Sequence, residues 1–186
     1  MEEQEAPVWY FAFGANMATR VLRGRRGIAP RQSRAACVRG WRVGFVEAGF
    51  PPIEPVFAGL LEAPGATAWG VLHLLEARDA ARLDDFEGPG YARVRLEARP
   101  REGAPVEAFA YATTRPVEGR RPSRRYLRLL LDGAREHGLP AETVAALEAQ
   151  ETVHVPVLSA LLPATLGLVE TVLRAVHRVQ RWTRSR

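Results

Sequence analysis

The order of the hydrophobic segments along the chain is the feature that most constrains its fold. Between residues 8 and 113 most apolar runs are short, rich in β-branched and aromatic residues, and separated by Gly and Pro clusters, which is typical of strands. Beyond residue 113 the apolar residues recur at helical spacing. Strands followed by helices predict an α+β fold with a mixed or antiparallel sheet, which can curl into a barrel.

Individual elements follow from the same patterns. Strands are predicted over residues 8–13, 36–46, 56–61, 67–74, 91–98 and 106–113. Helices are predicted over residues 17–22, 76–86, 123–137 and 141–150. In the third helix Ser123 stands at the N-cap, and Gly138 and Pro140 follow the last turn, so that His137 is interpreted as a helix C-terminal residue.

Composition indicates one domain with an extension. A chain of 186 residues that is 47% hydrophobic is long enough for one core, which we assign to residues 1–152. The single cysteine, Cys37, excludes an internal disulfide framework, and the first residues do not resemble a secretory signal, so a reducing cytoplasm is expected. All 26 basic residues are arginine, which suggests a GC-rich bacterial source.

The arginines also form basic clusters, at residues 23–26, 120–125 and 174–186. Because 21 acidic residues are interleaved with them and the sequence shows no nucleic-acid-binding motif, we interpret the clusters as solvated faces rather than a nucleic-acid site. No nucleic-acid partner is therefore expected.

The extension, residues 153–186, begins with an apolar run and continues as a basic amphipathic helix over residues 165–182. We favour packing of this helix on its own domain or on a second copy of the chain, which would give a homodimer. Attachment to an anionic membrane stays open as the alternative, and a membrane span over residues 153–169 is less favoured because Pro and Gly interrupt the run.

The sequence shows none of the common signatures of covalent or metal catalysis. It has no Gly-x-Ser-x-Gly elbow and no phosphate-binding glycine loop, and its four histidines are scattered without metal-ligand spacing. Cys37 lies in an apolar strand-like run, which favours a core position over a nucleophile. No metal and no cofactor are expected.

Residues 10–17 form the first candidate feature, in which an aromatic strand runs into a small-residue turn and then into a helix start. Such a turn directs backbone N–H groups at a pocket, where they can bind a carboxylate or a developing oxyanion. Asn16 is the only asparagine in the chain. It also has a structural explanation, because asparagine caps helices and tolerates left-handed backbone.

Residues 84–91 form the second feature, in which Glu87 follows Phe86 at a helix end and precedes a Gly-Pro-Gly turn and Tyr91. A carboxyl group beside aromatic rings loses solvation, which raises its pKa toward the value that an acid/base residue needs at neutral pH. A solvated acidic loop is the alternative interpretation.

Together, the two features resemble the gamma-glutamyl cyclotransferases. Residues 10–17 resemble the signature Tyr-Phe-Ala-Tyr-Gly-Ser-Asn-Met of that family, and Glu87 with the later Tyr91 resembles its catalytic glutamate and the following tyrosine. Three further segments resemble the family in the same order: residues 69–71, 110–113 and 136–140. The resemblance covers about residues 8–152 and implies the family's barrel-like fold. Phe13 and Ala15 depart from it, since the family carries Tyr and Ser there.

The resemblance implies a reaction without a cofactor. The α-amine of a small gamma-glutamyl amide attacks its own γ-carbonyl, releasing 5-oxoproline and an amine or amino acid, as in glutathione metabolism. Glu87 is implied as the catalytic acid/base. Substrate binding is implied for Phe13, Gly14, Ala15, Asn16, Tyr91 and Tyr111.

Two alternatives stay open. The changes at Phe13 and Ala15 are compatible with a different gamma-glutamyl amide as substrate. A non-catalytic binding module on the same fold, with the tail helix on a partner or a membrane, is the alternative from another class.

Overall fold

The computed structural model describes residues 6–50, 54–88 and 90–153. The predictions for the amphipathic tail therefore lie outside the described residues. The strands are β1 (Val8–Ala12), β2 (Gln32–Phe50), β3 (Glu54–Leu75), β4 (Tyr91–Pro100) and β5 (Val106–Thr113). The α-helices are α1 (Thr19–Arg26), α2 (Ala77–Asp84), α3 (Arg124–Glu136) and α4 (Ala141–Glu148), and a 3-10 turn covers Ala15–Met17.

The five strands form a closed barrel in the order β1-β3-β2-β4-β5. Neighbours pair antiparallel except where β5 meets β1 and β3, at Tyr10–Phe109 and Leu60–Ala112. These parallel contacts close the barrel, and the residues that face inward from every strand form one core. The α+β prediction with a mixed, barrel-like sheet is confirmed.

The hairpin β2–β3 is longer than the sequence predicts. The predicted strands 56–61 and 67–74 belong to one strand, Glu54–Leu75, which pairs with β2 along almost its whole length. The Pro64-Gly65 pair was expected to break the strand. Instead, residues 63–66 bulge opposite Gly40, and the register shifts there while pairing resumes on both sides.

The first helix also differs from the prediction of residues 17–22. The chain forms the 3-10 turn first, and α1 then continues through Gly24 to Arg26. The helix continues past Gly24 and ends at Gly27. Gly27 has a left-handed φ of 62°, and its N–H donates to the Leu22 carbonyl, which caps the helix.

Helix α3 matches its prediction, and it fixes the 3-10 turn from outside the barrel. The Ser123 hydroxyl accepts from the Tyr126 N–H, and His137 is the C-cap residue before Gly138. At Gly133 the helix comes so close that a Cβ there would lie 2.6 Å from the Ala18 nitrogen. Among the described residues, none of the helices has the length and apolarity needed to cross a bilayer.

Candidate active site

Strand β1 brings residues 10–17 to one end of the barrel. Phe11 and Ala12 are fully buried, the chain is partly exposed at Gly14 and Ala15, and it is buried again at Met17. At Gly14 it bends into the 3-10 turn, in which the Met17 N–H donates to the Gly14 carbonyl at 3.0 Å and the Ala18 N–H to the Ala15 carbonyl at 3.1 Å. The predicted small-residue turn therefore exists, and burial on the β1 side holds it in place.

Asn16 joins the two candidate features. Its side-chain Nδ2 donates to the Tyr10 hydroxyl at 3.1 Å and to Glu87 Oε1 at 3.3 Å. The structural explanation for this asparagine does not hold, because no side chain caps the 3-10 turn or α1, and no described residue other than glycine has a positive φ. The amide instead bridges Tyr10 to Glu87, which lies 71 residues after Asn16 in the sequence.

Glu87 lies on the turn after α2, where its N–H donates to the Leu83 carbonyl at 3.3 Å. The residue keeps some exposed surface, but its carboxyl group is surrounded by protein, and this burial raises its pKa to about 7. The charge of Arg26 and the hydrogen bond from Asn16 oppose the rise, whereas Asp84 and Glu47 add to it. The arrangement differs from a solvated acidic loop.

Tyr91 and Tyr111 stand near Glu87 without touching its carboxylate. The Tyr91 hydroxyl donates to the Ala58 carbonyl at 2.7 Å, and the Tyr111 hydroxyl donates to Asp84 Oδ1 at 2.5 Å. Burial raises the pKa of both phenols, and the negative charge of Glu87 raises them further. That they line a pocket with Glu87 stays a prediction, and neither hydroxyl hydrogen-bonds to Glu87 directly.

The two departures from the family signature have different surroundings. Phe13 is buried in the core cluster, whereas Ala15 is only partly buried against it. Beside them lies the hydroxyl of Tyr126, which accepts from the Ala58 N–H at 3.1 Å and is also approached by the Ala15 N–H. A Cβ on Gly14 would lie 3.2 Å from the same hydroxyl. Tyr126 thus closes one side of the turn.

Sequence reasoning missed the position of Tyr126, because the residue falls in the apolar stripe of α3. One signal was present in the pattern. A tyrosine in an otherwise aliphatic stripe has a polar tip that needs a partner when it is buried.

His73 is a second residue that sequence reasoning missed. It is fully buried on β3 between β1 and β2, and its Nε2 lies 3.1 Å from the Asn16 carbonyl oxygen while Nδ1 lies 2.8 Å from the Ser33 hydroxyl. Since a carbonyl only accepts, Nε2 carries the proton and Ser33 donates to Nδ1. Burial lowers the pKa of His73 to about 3, so the ring stays neutral and holds the backbone of the turn.

Two charged residues complete the surroundings of Glu87. Arg26, at the end of α1, stacks its guanidinium 4.4 Å from the centre of the Phe86 ring. Glu47, on β2, is 6% exposed and lies against Gly90, and burial raises its pKa. Among the described residues there is no cluster of three His, Cys, Asp or Glu side chains that could hold a metal ion.

The site can therefore exchange a proton near neutral pH through Glu87, beside a backbone turn fixed by Tyr126 and His73. Of the predicted residues, the structure brings Glu87 and Asn16 into contact. It places Gly14, Tyr91 and Tyr111 around them, where the Tyr91 hydroxyl bonds to Ala58 of β3 and the Tyr111 hydroxyl bonds to Asp84 at the end of α2.

Comparison with known proteins gives similar results for sequence and structure. Residues 67–147 match the AIG2-like family. The gamma-glutamyl cyclotransferase verK of Clonostachys rogersoniana is 31% identical over 141 residues, which cover 64% of this chain and 78% of the relative. The gamma-glutamyl cyclotransferase aclK of Aspergillus oryzae is 29% identical over 178 residues, covering 83% of this chain but only 65% of the relative's length.

A solved structure described as a gamma-glutamyl cyclotransferase superposes with a TM-score of 0.70 at 25% identity. The superposition covers 79% of this chain and 89% of the other chain.

Proposed function

The chain belongs to the gamma-glutamylcyclotransferase family, and from this membership we propose that it converts a small gamma-glutamyl amide into 5-oxoproline and a free amine, with Glu87 as the acid/base. The observation that carries the proposal is the contact of Asn16 with Glu87, which places a carboxyl group of pKa about 7 at the turn. The reaction needs such a group because a proton must leave one nitrogen and reach another.

The first step is attack by the substrate amine. Glu87 takes a proton from the α-ammonium group, and the freed amine forms a bond to the γ-carbonyl carbon while the carbonyl electrons move onto oxygen. Because the nucleophile and the electrophile belong to the same molecule, holding the substrate in its folded conformation supplies much of the rate enhancement. The turn and its aromatic neighbours would provide that constraint.

The second step is collapse of the tetrahedral intermediate. The electrons on oxygen re-form the carbonyl, the bond to the leaving nitrogen breaks, and protonated Glu87 donates to that nitrogen. Glu87, now ionised again, takes one of the two protons on the ring nitrogen and passes it to the released amine, while the other proton stays on the ring nitrogen of 5-oxoproline, so the reaction consumes no net proton. A carboxyl group with a pKa near the working pH is effective in both directions.

Charge on the oxyanion or on the substrate carboxylate needs fixed donors. The turn offers its backbone N–H groups, although the Met17 N–H already bonds to Gly14 and the Ala15 N–H approaches Tyr126. The proposal therefore assigns this role first to the backbone N–H of Asn16, because the side-chain amide of that residue already donates to Tyr10 and Glu87. Loss of one oxyanion donor typically costs roughly 10²–10³-fold in rate.

The test is 5-oxoproline release from a panel of gamma-glutamyl amino acids and gamma-glutamyl amines, with Glu87→Gln assayed in parallel. We expect release by the wild type and a loss of at least roughly 10²-fold in the variant, because the amide cannot exchange the proton. Glu87→Gln should unfold at or above the wild-type temperature, since it removes a buried acid.

Glu97→Gln is the matched control, because it makes the same change at an exposed carboxylate of β4. Its turnover should equal that of the wild type. Near-wild-type activity of Glu87→Gln would remove the assignment of Glu87, and no release from any substrate by the wild type would remove the proposed reaction.

We further propose that the protein acts in a reducing cytoplasm. The lone Cys37, which lies within β2 and forms no disulfide, supports this compartment.

A further inference from the structure

Arg26 differs from the other arginines at the end of α1. The basic cluster 23–26 was interpreted as a solvated face, and Arg23 is exposed as expected. Arg26 is half-buried, its guanidinium lies on the face of Phe86, and its Nε is buried without a hydrogen-bond partner. The cation is therefore directed toward the residue that precedes Glu87 rather than into bulk water.

The backbone of Arg26 is fixed from two sides. Its carbonyl accepts from Arg82 Nη2 at 2.9 Å, and the Gly27 carbonyl accepts from Arg82 Nη1 at 3.2 Å. Gly27 also ends α1 in the left-handed conformation. With its backbone fixed in this way and its side chain stacked on Phe86, Arg26 loses little further conformational entropy when it binds an anion.

The charge of Arg26 acts on the candidate active site without being neutralised there. It lowers the pKa of Glu87 and that of Tyr10. It forms no ion pair with Glu87, because no side-chain nitrogen of Arg26 lies within 4.0 Å of a carboxylate oxygen of Glu87. The nearby Asp84 is already occupied, because it accepts from Tyr111 at 2.5 Å and from Arg93 at 3.4 Å. Among the described residues, Arg26 thus faces the site as an unpaired cation.

Stacking on a ring uses the face of a guanidinium and leaves its in-plane N–H groups available. Those groups match the two oxygens of a carboxylate. The leaving nitrogen must come within hydrogen-bond reach of Glu87, about 3 Å, to be protonated. In a gamma-glutamyl amino acid, the carboxylate of the leaving group is only two bonds from that nitrogen, and Arg26 stacks on Phe86, the residue that directly precedes Glu87.

We propose that Arg26 forms an anion subsite for the α-carboxylate of the leaving group and is the residue that determines how strongly the protein discriminates gamma-glutamyl amino acids from gamma-glutamyl derivatives of simple amines. The inference rests on the proposed function, because it assigns the second half of the same substrate. The gamma-glutamyl half of the substrate would bind at the turn and Glu87, and the leaving amino acid would bind at the end of α1.

The test compares two substrates that differ only in the carboxylate, gamma-glutamyl-L-alanine and gamma-glutamylethylamine. The wild type should prefer the first in kcat/KM by roughly 10-fold or more, as expected for a charge-assisted hydrogen bond. In Arg26→Gln this preference should fall to about 1, mainly through KM. The ratio cancels any change that the substitution causes in the pKa of Glu87, because both substrates use that group.

Arg23→Gln is the control, since it removes an exposed arginine from the same turn of α1 and should leave the preference unchanged. Arg26→Lys keeps the charge without the planar pair of donors and should retain part of the preference. Thermal unfolding of each variant checks that α1 is intact.

Equal losses with both substrates in Arg26→Gln would overturn the subsite and leave the proposed reaction standing. Equal use of the two substrates by the wild type would overturn it as well. Release of 5-oxoproline from neither substrate by the wild type would instead remove the proposed function, and the subsite with it.

Discussion

At the scale of single residues, Asn16 and burial have opposite effects on the pKa of Glu87. Its amide donates to Glu87 and so favours the ionised carboxylate, whereas burial favours the neutral acid. Burial has the larger effect, and the pKa stays raised, at about 7. A group balanced in this way accepts and returns a proton at neutral pH with little bias.

These opposing effects on the pKa of Glu87 predict that substitutions near Glu87 shift the acidic limb of the kcat/KM profile along the pH axis. Since Glu87 must be ionised to accept the ammonium proton, kcat/KM should fall below about pH 7, approaching tenfold per unit. Asn16→Ala removes a hydrogen bond that lowers the pKa of Glu87, so this limb should move to higher pH. Glu47→Gln removes a negative charge that raises that pKa, so the limb should move to lower pH.

The profile is measured between pH 5 and 9 with one substrate for all three proteins. Limbs that shift in the same direction in both variants, or that stay in place, would contradict the electrostatic account of Glu87.

His73 makes a separate prediction, about stability. Its pKa is about 3 in the folded protein and 6.5 in the unfolded chain, so the unfolded chain binds more protons between these values. The contribution of His73 to stability is therefore complete above pH 6.5 and is lost as the pH falls toward 3. Between pH 6.5 and 5.5 the loss should be roughly 1 kcal/mol.

Other groups titrate in the same range, and the raised pKa of Glu87 acts in the opposite direction. The measurement is therefore a difference between the wild type and His73→Gln, whose amide can bond to both Asn16 and Ser33. Urea unfolding at the two pH values should show the variant gaining about 1 kcal/mol relative to the wild type on acidification. A difference that does not depend on pH would mean that His73 is not buried in the neutral form.

At the scale of elements, the contact of α3 with the 3-10 turn transmits packing to the site. Gly133 lets the helix approach the backbone of Met17 and Ala18, and the same helix carries Tyr126 to the turn. The turn is therefore held between α3 on the outside and His73 on the barrel side.

This contact predicts opposite effects for two glycine substitutions. Gly133→Ala would place a Cβ 2.6 Å from the Ala18 nitrogen, so the turn or the helix must move, at a cost of roughly 1–3 kcal/mol and with reduced kcat/KM. Gly24→Ala, inside α1, meets no atom within 4 Å and should stabilise the protein by roughly 0.5–1 kcal/mol.

Urea unfolding and 5-oxoproline release would be measured for both variants. A Gly133→Ala protein as stable and as active as the wild type would show that α3 does not fix the turn.

At the scale of the whole molecule, sequence patterns predicted the features that depend on a few neighbouring residues, such as the ends of helices. Ser123 and Gly138 mark the ends of α3 because caps are satisfied within a few residues. Asn16 and Glu87 were found because they belong to sequence segments that resemble those of the family in the same order along the chain. Their contact with one another is reported by the structure alone.

The parts that sequence reasoning missed depend on distant packing. Residues 63–66 bulge within one strand because β2 continues alongside them, which no pattern inside β3 reveals. His73 and Tyr126 have the spacing of core residues, and their polar atoms acquire a role only when β3 and α3 meet the turn. Arg26 looks like its exposed neighbours until Phe86 lies beneath it.

The barrel topology has a consequence for the order of events during synthesis. The ribosome produces the turn at residues 14–17 early and Glu87 much later, and the barrel closes only when β5 can pair with β1. Tyr126 and Gly133 emerge later still. A nascent chain that stops short of α3 thus carries both Asn16 and Glu87 and yet lacks the helix that packs against the turn. Because these contacts are so distant in sequence, activity should arise late and all at once, as the last step of a slow collapse.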